Sequence, residues 1–458
     1  MTEKDPAFIS TVVIYVSSEN RACYKISNIA ALNKRLLMLY LLKRKLNRRD
    51  KYKKSVWVRK LYRERDIKGE MNRLIKDLWL YDQVLFFTYF RMTPKQFEEL
   101  LQWIGPFLKK SSQRRKVITP SERLCVTLRY LCTGDAQITI AMAYRISPTS
   151  ISRIINETCE AIWTVMLSND ILKVPTTEDE WRQIAHDFES KWNFDHCVGA
   201  IDGKHVAMQA PHRSGSMFFN YKKTHSIILM AVCDANYLFT MVDIGDTGRN
   251  SDGGVFSNSA LGQCILENRL HLPPDEEIEQ TSIKFPYIFV GDEAFPLKVN
   301  IMKPYPPAAL GFKERIYNYR LSRARRIIEN SFGIAASRFR IFRRPIIAKV
   351  DTVVKVTKAV VALHNFCMIK RPNQVESLYC PPGYSDNETQ NGFKPGEWRS
   401  FVTDYTGLIN IGKLGTQNYT RNAKTVRDSF RDYFCSVAGS VPWQIQMINS
   451  TTNPFDHH

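Results

Sequence analysis

The sequence predicts an α/β protein: a mixed sheet flanked by helices, preceded by an all-α, helix-turn-helix-like domain. Three observations carry that reading. Between residues 93 and 163 apolar residues recur at helical spacing, and each run opens on a hydroxyl residue followed by proline: Thr93-Pro94, Thr119-Pro120 and Ser147-Pro148. Beyond Val198 the texture changes to short β-rich runs separated by turn residues. A long amphipathic stretch, Ile316 to Phe339, then places Leu321, Ala324, Ile328, Phe332, Ala335 and Phe339 on one side.

At 458 residues the chain has room for two or three domains and a sizeable core, and its 44% apolar content implies that most of it folds. The net charge of +20 and the pI of about 9.5 imply a polyanionic partner, with nucleic acid ahead of an acidic membrane surface. A merely basic soluble enzyme is the plainer alternative. The ten cysteines form no C-x-x-C pair and no zinc-ligand spacing, and Cys125, Cys197 and Cys233 lie within apolar runs. That usage fits a reducing compartment, cytosol or nucleus. No stretch approaches 18 uncharged apolar residues, so no transmembrane helix and no membrane partner are expected. Phe8 to Val16 is apolar but follows Glu3 and Asp5, and reads as a short leader rather than a signal peptide.

Five segments follow in order. Residues 1–55 form a basic, partly disordered arm. From Lys34 to Arg65 there are 14 Lys/Arg against Asp50 and Glu64, a block suited to phosphate contact or nuclear import. Residues 56–170 form the helical domain. Here Gln137 to Tyr144, a turn at Arg145-Ile146-Ser147 and a helix to Trp163 resemble a helix-turn-helix. Thr149, Ser150, Ser152 and Arg153 face outward on its second helix, toward DNA. Residues 171–195 read as a helical linker, capped at Thr176 or Thr177. Residues 196–370 hold the strands Val198–Ile201, Ser226–Val232, Tyr237–Ile244 and Pro286–Val290, a short helix opened by Ser251 to Gly254, and the long helix. Residues 371–458 read as an irregular C-terminal extension. There are no internal repeats.

Three separated carboxylates stand out. Asp202 ends the first strand, Asp292 ends a later one, and Glu329 lies at the margin of the buried face of the long helix. In a sheet built around the first strand the two aspartates would stand side by side. Converging acids repel and raise one another's pKa unless a cation intervenes. Mg²⁺ binds through one or two carboxylates and keeps the rest of its shell for water and phosphate. Two such ions can cleave a phosphodiester. Taken singly, each aspartate could be a turn former, and Glu329 could pair with Arg325 or Arg326 at i−4 and i−3. Around Glu329 the chain is basic: Arg320, Arg323, Arg325 and Arg326 are candidate DNA contacts beside the proposed metal site. Lys204 and His205 could reach a phosphate.

These residues also carry a family likeness. Cys197 to His205 (CVGAIDGKH), Gly291 to Leu297 (GDEAFPL) and Arg325 to Gly333 (RRIIENSFG) resemble, in order, the DDE transposases of the PIF/Harbinger superfamily. Asn220-Tyr221-Lys222, Ser251 to Phe256, Asn318 to Ser322 and His364-Asn365-Phe366 extend the likeness, which runs from about Val56 to Lys370. The resemblance implies an RNase H-like fold with Asp202, Asp292 and Glu329 as catalytic, metal-binding triad. Asp252 would be a support or alternative ligand. It further implies cleavage at terminal inverted repeats with Mg²⁺ or Mn²⁺, two ions per site, and joining of the 3′-OH to target DNA. Action in the nucleus is implied, after passage through the cytoplasm before import, with a Myb-like DNA-binding partner protein and, because two ends must be held together, a homodimer or higher oligomer. The reading is therefore a metal-dependent DNA endonuclease and transposase. A domesticated, non-catalytic DNA-binding or chromatin adaptor keeping the fold is the alternative, and an enzyme acting on RNA–DNA hybrids is a weaker third.

Overall fold

The computed structural model describes residues 33–45, 58–112, 116–248, 256, 259–278, 281–372, 378–389, 392–402, 407–410 and 419–449. Asp252, the leader and the Lys51-Tyr52-Lys53-Lys54 cluster lie outside the described residues. The chain divides into two compact units, Met1–Arg63 and Glu64–His458. In the first unit a helix covers residues 33–45 and a short one covers Lys60–Arg63.

In the second unit the long helices between Pro94 and Trp192 have starts set by side-chain caps. Thr93 caps Pro94–Leu108, its hydroxyl accepting from the Gln96 amide at 3.2 Å while Gln96 Oε1 accepts from the Thr93 amide at 2.7 Å. Thr119 caps Pro120–Thr133, which stops at Gly134 in a left-handed conformation, φ 69°. Ser147 caps Pro148–Ser168, which runs past the expected end at Trp163. The expected stripe of Ile151, Ile154, Ile155, Thr158 and Ile162 is buried. Glu178–Trp192 begins at Thr177, with Glu180 completing a reciprocal cap.

A further helix spans Val350–Ile369, its apolar run interrupted by Lys355 and Lys358. It carries Asp351 as well, so it is not an uncharged apolar run. By length and composition it is apolar enough to cross a membrane, yet 78% of its apolar window is buried inside the protein. It packs against the Pro148–Ser168 helix and the sheet. Its Asn365 Oδ1 accepts from the Phe239 amide at 2.9 Å, and its Nδ2 donates to the carbonyls of Phe239 and Ile171 at 2.8 and 3.0 Å. One amide thus ties three elements together.

Ten strands are described. The central sheet uses β1 (Cys197–Met208), β2 (His225–Cys233), β3 (Phe239–Thr247), β6 (Ile288–Val290), β7 (Ile301–Met302) and β10 (Leu408–Asn410). β4 (Glu276–Glu277) pairs with β5 (Lys284–Phe285), and β8 (Asn387–Thr389) pairs with β9 (Gly392–Lys394). The central order is β3-β2-β1-β6-β7. β2 and β3 run antiparallel to their neighbours, and β6 and β7 run parallel to theirs. β1 is buried throughout its twelve residues. One edge of it pairs with β2 along Ala200–Met208. The other edge is shared: β6 takes Cys197–Ala200, and β10 takes Lys204–Val206. Ile201, Asp202 and Gly203 fall between those two ladders.

The long helix spans Phe312–Arg338 and packs on β1, β2 and β6. The described residues of the segment 371–458, expected to be irregular, are built into the fold. They supply β10, and their helices Trp398–Phe401, Arg421–Phe434 and Gln444–Asn449 pack on the long helix. Gly333 makes room for this: a Cβ there would lie 2.3 Å from Trp398 Cε3. The Trp398 indole donates to Asn330 Oδ1 at 2.8 Å.

Candidate active site

Ala200 of β1 stands opposite Val290 of β6 in a parallel ladder. Asp202 lies two residues beyond that pair within β1, which runs on to Met208 rather than ending at the carboxylate. Asp292 lies two residues beyond it, just past the end of β6, near enough for the two charges to act on each other. Asp202 is buried. Its Oδ1 accepts from the Gly203 amide at 2.8 Å and its Oδ2 meets Lys204 Nζ at 2.7 Å. Asp292 Oδ1 accepts from the Ala294 amide at 2.9 Å. Glu329 arrives from the long helix, and its Oε1 is 2.7 Å from Arg325 Nη2. The i−4 pairing weighed as a structural role for Glu329 is therefore formed.

The electrostatics join these groups. Burial, then the neighbouring Asp202 charge, raise the Asp292 carboxyl above its ordinary range, against opposing pulls from Arg325, the Ala294 amide and Lys204. Burial also pushes Glu329 up, but Arg325, Lys204, Arg399 and Arg326 together outweigh it and hold that carboxyl below its ordinary value. Burial lowers the Arg325 guanidinium, and the negative charges of Glu329, Asp292 and Asp202 more than reverse this. Three acids and two cations, Lys204 and Arg325, thus form one charge cluster.

The donor chemistry suits a hard divalent cation, since all three candidates offer carboxylate oxygen. Among the described residues, however, no three of the acidic, histidine or cysteine side chains stand close enough to hold one ion together. Asp202 and Asp292 influence each other electrostatically. Glu329 would join them only by leaving Arg325.

The other candidates separate sharply. His205 alternates to the opposite face of β1 from Asp202. It is 1% exposed, its Nδ1 lies 3.0 Å from Ser226 Oγ, and burial lowers its pKa to about 4, so it is a neutral core residue rather than a phosphate ligand. Three arginines expected on DNA are spent inside the protein. Arg320 donates to the carbonyls of Asn193 and Gly439 and lies 4.4 Å over the Phe434 ring. Arg326 is 2.6 Å from Glu388 Oε2, and Arg323 is 3.9 Å from the same oxygen. Burial of the helix face that carries them is the reason. Arg325 alone of the four borders the carboxylates. On the Pro148–Ser168 helix, Thr149 and Arg153 are exposed and Ser152 is half-buried. Ser150 is half-buried too, with its hydroxyl 2.8 Å from that of Ser147. Gly291, just before Asp292, makes room for a ring: a Cβ there would lie 2.9 Å from Phe295 Cδ2.

Two residues escaped the sequence reading. Asn410 of β10 accepts from Lys204 Nζ at 2.5 Å, and Arg399, paired with Asp386 at 2.6 Å, adds its charge near Glu329. Both come from the segment read as irregular, and no local spacing signals either.

Residues 201–365, which contain all three carboxylates, match the family described as DDE superfamily endonuclease. The proteins named "Putative nuclease HARBI1" from Bos taurus and Homo sapiens are each 26% identical over 248 residues, covering 54% of this chain and 66% of theirs. "Protein ALP1-like" from Arabidopsis thaliana is 26% identical over 271 residues, or 57% of this chain and 64% of that one. The chain thus spans just under two thirds of the length of the curated relatives it matches. No solved structure matches it. The chain carries a DDE superfamily endonuclease domain and is a homologue of the Harbinger-derived nuclease family.

Proposed function

We propose that the chain is a divalent-metal-dependent DNA endonuclease and transposase of PIF/Harbinger type, cutting element ends and joining the freed 3′-OH to target DNA. The observation that carries this is Asp202 within β1 and Asp292 just past the end of its parallel neighbour β6, with Glu329 on the helix packed against those strands. An order of three antiparallel strands followed by two parallel ones supports an RNase H-like reading of the sheet.

Asp202, Asp292 and Glu329 would hold Mg²⁺ or Mn²⁺, which when bound activates water and offsets charge on the departing oxygen. The chain's own residues prepare the site. Lys204 and Arg325 balance the carboxylates, and the Asn410 side chain and the Phe332 ring, 5.4 Å from Lys204 Nζ, fix where that ammonium rests. Lys204 and Arg325 are the cations nearest an arriving phosphodiester, and moving from carboxylate to phosphate would bind it. Thr149 and Arg153, exposed on the helix-turn-helix-like pair, support duplex contact. Action in the nucleus, a Myb-like partner and a dimer or larger assembly complete the proposal.

Asp202→Asn and Glu329→Gln should each abolish Mg²⁺- or Mn²⁺-dependent cleavage of end-containing DNA while DNA binding persists. Mutants that cut as well as the wild type would refute the assignment. A second reading, a non-catalytic DNA-binding or chromatin adaptor, is favoured by the neutralisation already present, in which Lys204 and Arg325 satisfy Asp202 and Glu329. Titrating Mn²⁺ separates the two. A nuclease should gain about 2.7 kcal/mol of stability at a hundredfold excess over Kd, and an adaptor should gain none.

A further inference from the structure

The loop from residue 209 to 224, joining β1 to β2, contains no Asp or Glu but holds His212, Arg213, Lys222 and Lys223. Among the described residues, none of Arg213, Lys222 and Lys223 has an acidic partner. The same loop exposes three large side chains: Met217 is 54% exposed, Phe219 41% and Tyr221 56%. Apolar and cationic groups gathered on one loop, with no acid among them, suit a ligand having both flat apolar faces and negative charge.

The loop holds these groups in place. Asn220 is buried and clamps the turn: its Oδ1 accepts from the Thr224 amide at 3.0 Å, and its Nδ2 donates to Thr224 Oγ1 at 2.9 Å and to Ser226 Oγ at 3.0 Å. The Lys223 amide donates to the Asn220 carbonyl at 3.0 Å. Tyr221 is therefore fixed at its backbone. Its hydroxyl is fixed as well, donating to the Asn410 carbonyl at 2.8 Å. A ring held at both ends and more than half exposed loses little freedom when something stacks on it.

Asn410 links this ring to the carboxylates. Its backbone carbonyl receives Tyr221, and its side-chain carbonyl receives Lys204, the residue paired with Asp202. We propose that this loop is a docking surface for an unpaired DNA strand next to the cut site, with Tyr221 stacking on a base and Arg213, Lys222 and Lys223 holding flanking phosphates. The assignment rests on the DNA-cutting reading for its choice of nucleic acid. Nucleobases offer a stackable face whatever their sequence, and the phosphates between them match the cations at the loop's tip. A regular duplex hides its base faces, so the ring discriminates against it.

The test uses the full chain without metal, so that cleavage plays no part, and a fluorescein-labelled oligo-dT beside a duplex of equal length. Tyr221→Ala should weaken oligo-dT binding about tenfold, the loss of one stacked base, and leave duplex binding within twofold. Tyr221→Phe keeps the ring and should retain most of the affinity. Lys222→Gln with Lys223→Gln should lower the salt dependence of oligo-dT binding by a slope of about 1.4. Thermal melts of each variant matching the wild type show that the fold is intact. Oligo-dT binding unchanged in Tyr221→Ala overturns the proposal, as does equal weakening for strand and duplex. A wild-type chain that ignores oligo-dT also overturns it, and leaves the surface to a protein partner. Because no variant touches the carboxylates, failure here leaves the cleavage test of Asp202→Asn untouched, and the reverse holds too.

Discussion

Two helices of this chain carry cationic residues that look alike in sequence and have opposite fates. On Pro148–Ser168, Thr149 and Arg153 stay outside while the opposite face packs into the bundle. On Phe312–Arg338, Arg320, Arg323 and Arg326 are buried as thoroughly as the leucines and isoleucines beside them. The difference lies in what covers each helix. The first is packed along one side. The second is packed by the sheet on one side and by the C-terminal segment on the other, which brings Glu388, the Gly439 carbonyl and Gln444 to the guanidinium groups. A run of positive charge is a solvated face only when nothing later in the chain comes to cover it.

The comparison breaks first at Arg326. Arg326→Met leaves Glu388 deep in the protein, where Arg326 and the Tyr319 hydroxyl, at 2.5 Å, are partners. Removing one member of a buried pair costs about 3–5 kcal/mol, measurable by urea denaturation. A loss under about 0.5 kcal/mol, the usual surface value, would put Arg326 back on a solvated face. Next in size is a pH effect from the histidines. Burial lowers His205 and His364 from 6.5 to about 4, so the unfolded chain takes up their protons first. Stability from these two is full above pH 6.5 and is lost as the pH falls toward 4. His205→Gln should flatten part of that slope in melts across pH 4 to 7. An unchanged slope would mean His205 is exposed and available to a phosphate after all. Arg153→Ala should give the smallest change in stability, within about 0.5 kcal/mol. It should weaken duplex binding and lower the salt slope by about 0.9, one phosphate contact. Unaltered DNA binding would leave Thr149 and Arg153 as ordinary surface.

Much of the fold was legible because its signals are local. The hydroxyl–proline helix starts at Thr93, Thr119 and Ser147 needed only their own side chains and the next turn. Asp202, expected to end its strand, lies inside β1, which runs on to Met208, whereas β6 does stop at Val290, two residues before Asp292. The carboxylates themselves could be picked out, as could the alternative in which Glu329 pairs four residues back with Arg325. Lys204 was read as reaching toward phosphate, whereas it rests on Asp202. His205 was grouped with it by sequence adjacency, although strand alternation sends the two side chains to opposite faces.

What the sequence determined by itself is therefore the helices opened at Thr93, Thr119, Ser147 and Thr177, the strands β1, β2, β3 and β6, and the choice of three candidate acids. Those depend on contacts within a turn or a strand. Tertiary structure decided which charges reach solvent and which residues complete the site. β10 comes from more than 200 residues beyond β1 and lies beside Lys204–Val206, and only that pairing brings Asn410 to both Lys204 and Tyr221. Pairing at that separation follows from how the whole sheet closes, since a three-residue strand carries no periodicity that names its partner.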